Sequence, residues 1–424
     1  MDIELYEHSS LAHHMFLAPG LLPTTKRNMT SASVAPCINE ALPDEVFGVI
    51  FEEHAKLEWR APLIDGQVCR QWRQTILRSP RAWAHLKIGQ KTISTPSKVH
   101  QWLDRSGSVP LHIRAIDWTL GAEEVLDQHC KRIESISLYS DRLTSLEKWS
   151  FPILQSLTLR AWDLNPPVIR WSAYRTMPRL RSLCAGCISM DGLPSNIFPL
   201  LGILALYRVN DCNSIIRNSY HSLTSLMLGR ISLQYTSESL EFPSLRFLSL
   251  FAVKNIKHRM NVPVLTTYHE AGRIEEEIFS MSLPFLIEYG IYRCYKKPPL
   301  NVAKLHQCYP NISRLSVRGP LSNVKLFLHS LSAQPTALPM LRILAVSDSR
   351  KYGREDKDSM MNDVVVRNMA SSVEMELCFD GKVRVPLYFA NVRGYINKGR
   401  SKLTFTLSTR IFSFENLSFV LGLC

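Results

Sequence analysis

The sequence predicts a small all-α module followed by an α/β unit, an irregular solenoid of short strand-bearing repeats that closes in a β-rich end. Three observations predict it. Apolar residues follow helical spacing between residues 42 and 77, a nine-residue apolar template recurs through the middle of the chain, and the strings VEMELCF, RVPLYFANV and KLTFTLSTRIFSF alternate like strands near the end. The units are then 1–37, a Pro-interrupted tail; 38–90, the helical module; 91–363, the repeats; and 364–424, a divergent β-rich end.

In the helical module, ALPDEVFGVIFEEHA places Pro43 at a first helical position, where a missing N–H costs nothing, and Asp44 and Glu45 in the first turn, where the helix dipole favours acids. Leu42, Val46, Val49 and Ile50 keep helical spacing, and Phe47 and Phe51 widen the apolar arc. This helix is expected to end at His54, with a loop over 54–60. Pro62 then restarts helix near PLIDGQVCRQWRQTIL, with Val68, Trp72 and Ile76 stacked at i, i+4 and i+8 until Ser79-Pro80 stops it, so that three short helices are expected in the module.

The repeat template is a proline followed by apolar residues two, five and seven positions on. Its clearest copies are FPILQSLTL (151–159), MPRLRSLCA (177–185), FPLLGILAL (198–206), YHSLTSLML (220–228), FPSLRFLSL (242–250), YPNISRLSV (309–317) and LPMLRILAV (338–346). Weaker ones start at Cys130, Val262 and Leu283, and successive copies are 20 to 29 residues apart. That period, with L-x-x-L-x-L in each unit, is the range of a leucine-rich repeat. The residues at five and seven alternate along a short strand and point into a shared core; the residue between them, Thr158, Cys184, Ala205, Met227, Ser249, Ser316 or Ala345, should point out. One copy cannot bury its own leucines, but stacked copies can. SRKYGREDKDSMMND (349–363) reads as a charged loop.

Hydrophobic residues are 46% and charged ones 21% of the 424, ordinary globular usage. The longest nearly apolar run, Phe198–Tyr207, is half the length of a spanning helix, and residues 1–37 lack a secretory pattern, so an intracellular protein, cytoplasmic or nuclear, is expected without membrane contact. Ten scattered cysteines fit reduced thiols. The net charge of +13 is uneven: −1 in 1–37, zero in 38–90 and +14 in 91–424. A nucleic-acid-gripping module would carry the excess itself, which the arginine-containing 68–86 stretch does not.

Cys184-Ala-Gly-Cys187 lacks the second ligand pair of a zinc site, and no H-E-x-x-H, G-x-S-x-G, phosphate-binding Gly-Lys loop or G-x-G-x-x-G occurs. No catalytic residue, cofactor or metal is expected. A basic cluster, Lys382, Arg384, Arg393, Lys398, Arg400 and Lys402, interleaved with Tyr388, Phe389 and Tyr395, is a candidate patch for an acidic or phosphorylated protein target, for single-stranded nucleic acid, or for neither as a solvated face.

Leu42-Pro43, Glu45-Val46, Val68-Cys69-Arg70-Gln71-Trp72-Arg73 and Pro80-Arg81-Ala82-Trp83 together resemble an F-box, in the form expanded among mushroom-forming fungi, where a phrase like Ala61-Pro62-Leu63-Ile64-Asp65-Gly66-Gln67-Val68 is familiar. The resemblance covers about 38–88. It implies a module that binds the Skp1-type adaptor of a cullin–RING ubiquitin ligase, with Leu42, Pro43, Val46, Ile50, Val68, Cys69 and Trp72 as adaptor contacts, while the repeats select the protein substrate. Trp83 is assigned to the core, tying the module to the first repeat. A repeat scaffold without degradation and a basic nucleic-acid-associated factor remain the alternatives.

Overall fold

The computed structural model describes residues 42–89, 93, 95–116, 120–139, 149–161, 177–189, 198–210, 212–231, 240–253, 260–271, 283–292, 301–347, 354–370 and 375–379. The first helix, α1, is Asp44–Leu57 and has Pro43 at its N-cap rather than inside it. It buries Phe47, Phe51 and Ala55 at i, i+4, i+8. Ala55 and the bond from Lys56 Nζ to Glu53 (2.6 Å) carry the helix past His54, so the expected loop shrinks to residues 58–60. The second and third of the three expected helices are α2, Ala61–Asp65, and α3, Arg70–Leu77. Between them Cys69 is extended, its Sγ accepting the Trp72 N–H at 3.4 Å, while Arg73 Nε holds the Gly66 carbonyl at 2.8 Å. A sulfur N-cap therefore starts α3 at Arg70 and leaves Val68, which spacing places in the helix, outside it.

Among the described residues from His85 onward the architecture is one parallel sheet of thirteen strands, paired strictly in chain order. Its first part is β1 (His85–Ile88), α4 (Pro96–Arg105), β2 (Leu111–Ile116), α5 (Leu120–Asp127), β3 (Ile133–Tyr139), β4 (Ser156–Arg160), β5 (Ser182–Gly186), β6 (Ile203–Tyr207), α6 (Asn213–Ser219) and β7 (Ser225–Gly229). Then follow β8 (Leu240–Glu241), β9 (Phe247–Phe251), β10 (Met260–Asn261), β11 (Thr267–Ala271), β12 (Glu288–Tyr292), α7 (Val302–Cys308), β13 (Arg314–Arg318), α8 (Leu321–Ser332), β14 (Ile343–Ser347), α9 (Arg354–Ala370) and β15 (Glu376–Phe379). Only β8 and β10 stand apart, as a separate parallel pair. Among the described residues no helix is long and apolar enough to cross a membrane.

Every copy of the template but the one at 220–228, where the Leu223 N–H returns to the Ser219 carbonyl instead, enters its strand the same way. The proline, or the residue in its place, takes the second position of a tight turn in which the N–H two residues on returns to the carbonyl just before it, as in Leu180 to Met177 (3.1 Å) and Leu341 to Leu338 (3.0 Å). Proline suits that position because its φ is already set there. The residue before the proline, Phe151, Met177, Phe198, Phe242, Leu283 or Tyr309, is buried, a fourth apolar position absent from the sequence template. The next N–H, three after the proline, reaches the equivalent carbonyl of the preceding copy. Gln155, Arg181, Gly202, Thr224, Arg246, Thr266, Ile287, Ser313 and Arg342 thus form one file of bonds of 2.8–3.0 Å.

The residues at five and seven fall in two buried columns, among them Leu157 and Leu159, Leu204 and Leu206, and Leu344 and Val346. The positions between them are not uniformly outward. Thr158, Cys184, Met227, Ser316 and Ala345 are half-buried, but Ala205 and Ser249 are buried, because in a register of about 4.8 Å each small residue lies under its neighbours' larger side chains. The charged loop expected over 349–363 is instead largely the start of α9, whose Met360, Val364 and Arg367 are buried; its acid-rich first half hides that stripe in the sequence. Of the expected β-rich end, β15 is observed, and residues 380–424 and 1–37 lie outside the described residues.

Two features depart from leucine packing. Glu270 occupies an apolar column of β11 and is buried, accepting the Tyr268 hydroxyl at 2.9 Å and the Tyr289 hydroxyl of β12. Burial first, and then the adjoining Glu270, push both phenols well above their usual range. Secondly, His85 of β1 and His112 of β2 stack with ring centroids 4.6 Å apart. Burial, then the facing His112, lowers His85 to about 4, despite Glu53 opposing; His112 is lowered by burial as well.

Glu270→Leu alone should cost about 1–3 kcal/mol in urea unfolding, because two buried hydroxyls lose their acceptor. Adding Tyr268→Phe and Tyr289→Phe should restore most of that loss. The folded state holds both histidines neutral where the unfolded chain would protonate them. The contribution of His85 is therefore complete above about pH 6.5 and lost as pH falls towards 4, and that of His112 is lost in the same direction. The urea midpoint should fall over that window, and His85→Gln should flatten the fall.

Candidate functional site

The helical module divides its apolar residues between two opposite arcs. At about 100° per residue, Phe47, Phe51 and Ala55 fall on one side of α1, and Val46, Val49, Ile50 and Leu57 on the other. The first arc is core. Phe47 and Phe51 lie 6.0 Å apart, and Trp72 of α3 closes on them at 5.5 and 5.2 Å. The second arc is exposed, Leu57 to 88% of its surface.

Leu63 and Ile64 of α2 and Val68, which precedes α3, are exposed as well. Half of the large hydrophobic residues exposed among the described part of the chain therefore lie within 46–77. In so small a module, such clustering departs from the scattered apolar residues of an ordinary surface.

The seven candidate contacts separate accordingly. Val46, Ile50 and Val68 are exposed, as is Pro43. Leu42 is half-buried and packs on the core. Cys69 is half-buried and serves as the sulfur cap of α3, and Trp72 is half-buried with its ring against Phe47 and Phe51. Ile76, in line with Val68 and Trp72 by spacing, is buried: the break at residues 66–69 removes Val68 from the helix, and α3 turns Ile76 inward. Val49, which shares helical spacing with Val46 and Ile50, and Leu57 and Ile64 are absent from the seven but belong to the exposed set. The signal was an apolar arc on α1 wider than its core contact needs.

The module is held in place by aromatic and polar contacts. His54 Nδ1 and Asp65 Oδ2, 2.9 Å apart, join α1 to α2. Trp83 is buried; its indole N–H donates to the Ile76 carbonyl at 3.0 Å, its ring meets Trp102 of α4 edge-on at 4.8 Å, and the Arg105 guanidinium covers it at 4.5 Å. Trp59, from the short loop after α1, adds a second contact to Trp102 at 5.8 Å. The exposed arc is thus carried on a module packed against the first helix after β1, not on an independent bead.

The second candidate, Lys382, Arg384, Arg393, Lys398, Arg400 and Lys402, lies outside the described residues. Cys184 sits on β5 and Cys187 at its exit with φ 55°; burial pushes the Cys184 thiol up to about 11, so it stays protonated at neutral pH.

Ile76→Ala should lower stability by about 2–5 kcal/mol. Val68→Asp, at an exposed position, should leave it within about 0.5 kcal/mol. Chemical denaturation of the two variants checks the division between core and free face. In comparisons with known proteins, no family model matches the chain and no curated protein matches it in sequence.

Proposed function

We propose that the chain is a non-catalytic substrate receptor of a Skp1–cullin–F-box ubiquitin ligase. In this reading residues 42–83 form an F-box that docks on a Skp1-type adaptor. The chain-ordered parallel strands form a leucine-rich-repeat solenoid that holds a target protein, and other subunits transfer ubiquitin. The observation that carries it is the exposed arc of Val46, Val49, Ile50 and Leu57, continued by Leu63, Ile64 and Val68, on a module whose charge sums to zero. An apolar face of this kind gains by burial against a partner at roughly 25 cal/mol per Å².

Two further observations support the reading. The F-box-like residue string spans the same helices as the apolar face, and the Trp83–Trp102 contact fixes that face relative to the strands. A receptor has to hold adaptor and target at a set separation, and a rigid joint does so. The sequence carries no recognisable catalytic motif, and the reading needs none.

The test is capture of recombinant adaptor by the full chain. Wild-type protein should retain it, and Val46→Asp/Ile50→Asp/Val68→Asp should lose roughly tenfold or more in affinity with an unchanged melting temperature, since all three side chains are exposed. Failure of the wild type to bind adaptor at low salt would overturn the proposal.

A further inference from the structure

Far along the sheet from the helical module, the turns that enter β9, β11, β12, β13 and β14 build a rim out of two files of side chains. Amide bonds of 2.9–3.0 Å link Arg246, Thr266, Ile287, Ser313 and Arg342 in order, each N–H reaching the carbonyl of the residue before it. Two residues earlier on the turns stand Val264, Phe285, Asn311 and Met340, which directly follow the template prolines.

The polar members of the files are turned onto backbone. Thr266 Oγ1 donates to the Arg246 carbonyl at 3.0 Å, Asn311 Nδ2 to the Pro284 carbonyl at 3.0 Å, and Ser313 Oγ to the Ile287 carbonyl at 3.5 Å. What the rim presents is therefore apolar in the middle and cationic at both ends. Phe285 is 62% exposed and Ile287 50%, with Val264 and Met340 exposed beside them. Arg246 and Arg342 are exposed at the ends, and neither guanidinium is engaged by a described residue. Neither file contains an acid. Glu241 and Glu288, beside the files, are each held by a neighbour at 3.4 Å, Asn261 Nδ2 and His269 Nε2 respectively, and Glu376 begins β15, one strand beyond β14.

This arrangement selects the backbone of a ligand as well as its charge. The rim runs across the strands and not along one, so it lacks the alternating N–H and C=O groups that an added strand needs. A helix satisfies its own backbone and can dock through side chains alone. Arg246 and Arg342 are four strand spacings apart, on the order of 19 Å. Eleven residues of helix rise about 17 Å and return to the same face, and carboxylates there would meet the guanidinium ends with charge-assisted bonds. A second copy of the chain fits less well: laid antiparallel about Ile287, it sets Arg246 against Arg342, like charge on like. Two arginines also fall short of the clusters of about four to eight basic residues that anionic membranes attract.

We propose that this rim binds an amphipathic helix of a partner protein, its apolar face on Val264, Phe285 and Ile287 and a carboxylate near each end, about eleven residues apart, on Arg246 and Arg342. Calling that partner a ubiquitination target rests on the receptor reading; the docking itself does not.

Fluorescence anisotropy on the full chain tests it with a labelled, alanine-based helical peptide carrying glutamates at i and i+11 and leucines at i+4, i+7 and i+8. Companion peptides have lysines for the glutamates, serines for the leucines, or a central proline that breaks the helix. The glutamate peptide should bind, and each companion should bind roughly tenfold or more weakly. Arg246→Glu/Arg342→Glu should lose the glutamate peptide and gain the lysine one, and Phe285→Ser/Ile287→Ser should lose the glutamate peptide. All four side chains are exposed, so both variants should melt like wild type and still capture adaptor. No binding of the glutamate peptide by wild type, equal binding of the proline peptide, or unchanged preference in the arginine variant would overturn the proposal. So would a wild-type dimer that Phe285→Ser/Ile287→Ser dissolves, or tighter binding to vesicles of equal phosphatidylcholine and phosphatidylserine than to the glutamate peptide. Loss of adaptor capture by wild type with peptide binding retained would instead remove the receptor reading and leave this surface standing.

Discussion

A parallel strand cannot satisfy its own backbone, and the whole sheet follows from that constraint. Each five-residue strand leaves its N–H and C=O groups to the copies before and after it, and a buried group left unpaired costs about as much as a lost hydrogen bond. The file of amides from Gln155 to Arg342 shows how tightly the constraint acts. Segments of 20 to 29 residues, differing in length and in what connects them, re-enter in the same register because the turn at the template proline delivers the same N–H to the same place. Side chains can then vary where they must, even to the extent of a glutamate among leucines.

That tolerance has a limit, seen at Glu270. The carboxyl is accommodated only because the leucine-equivalent positions of β11 and β12 are tyrosines, whose hydroxyls reach it from the same strand and from the next. A polar group in a shared core needs partners supplied by neighbours, so the substitution belongs to a cluster of positions rather than to one. The same coupling operates on the outward face, where a Cβ at Gly186 would meet the Arg160 side chain of the preceding strand at 3.4 Å.

Much of this was legible residue by residue. Leu157, Leu159, Leu204 and Leu206 are buried where the template places them, because the period of two along a strand is a property of the backbone. The start of α1 was legible from Pro43, Asp44 and Glu45. Three helices were legible in the module, but the start of α3 after Val68 was not, since it depends on a thiol accepting an amide N–H and on Arg73 reaching back to Gly66. Nor was α9, in which Met360 and Val364 find their burial only in the folded chain. Among the candidate contacts, Val46, Ile50 and Val68 are on the open face, whereas Leu42 and Trp72 divide their surface between core and solvent.

By itself the sequence determined the strands of the repeat template, their spacing, the start of the first helix and the charge neutrality of the helical module, all consequences of local periodicity and composition. Which of two apolar stripes on α1 is core, where Ile76 turns, and which arginines gather around Tyr207 were decided only by tertiary structure. Helical spacing can place two stripes on one cylinder but cannot say which meets a neighbour, and residues as distant in sequence as Tyr207, Arg230 and Phe251 become neighbours only through strand register.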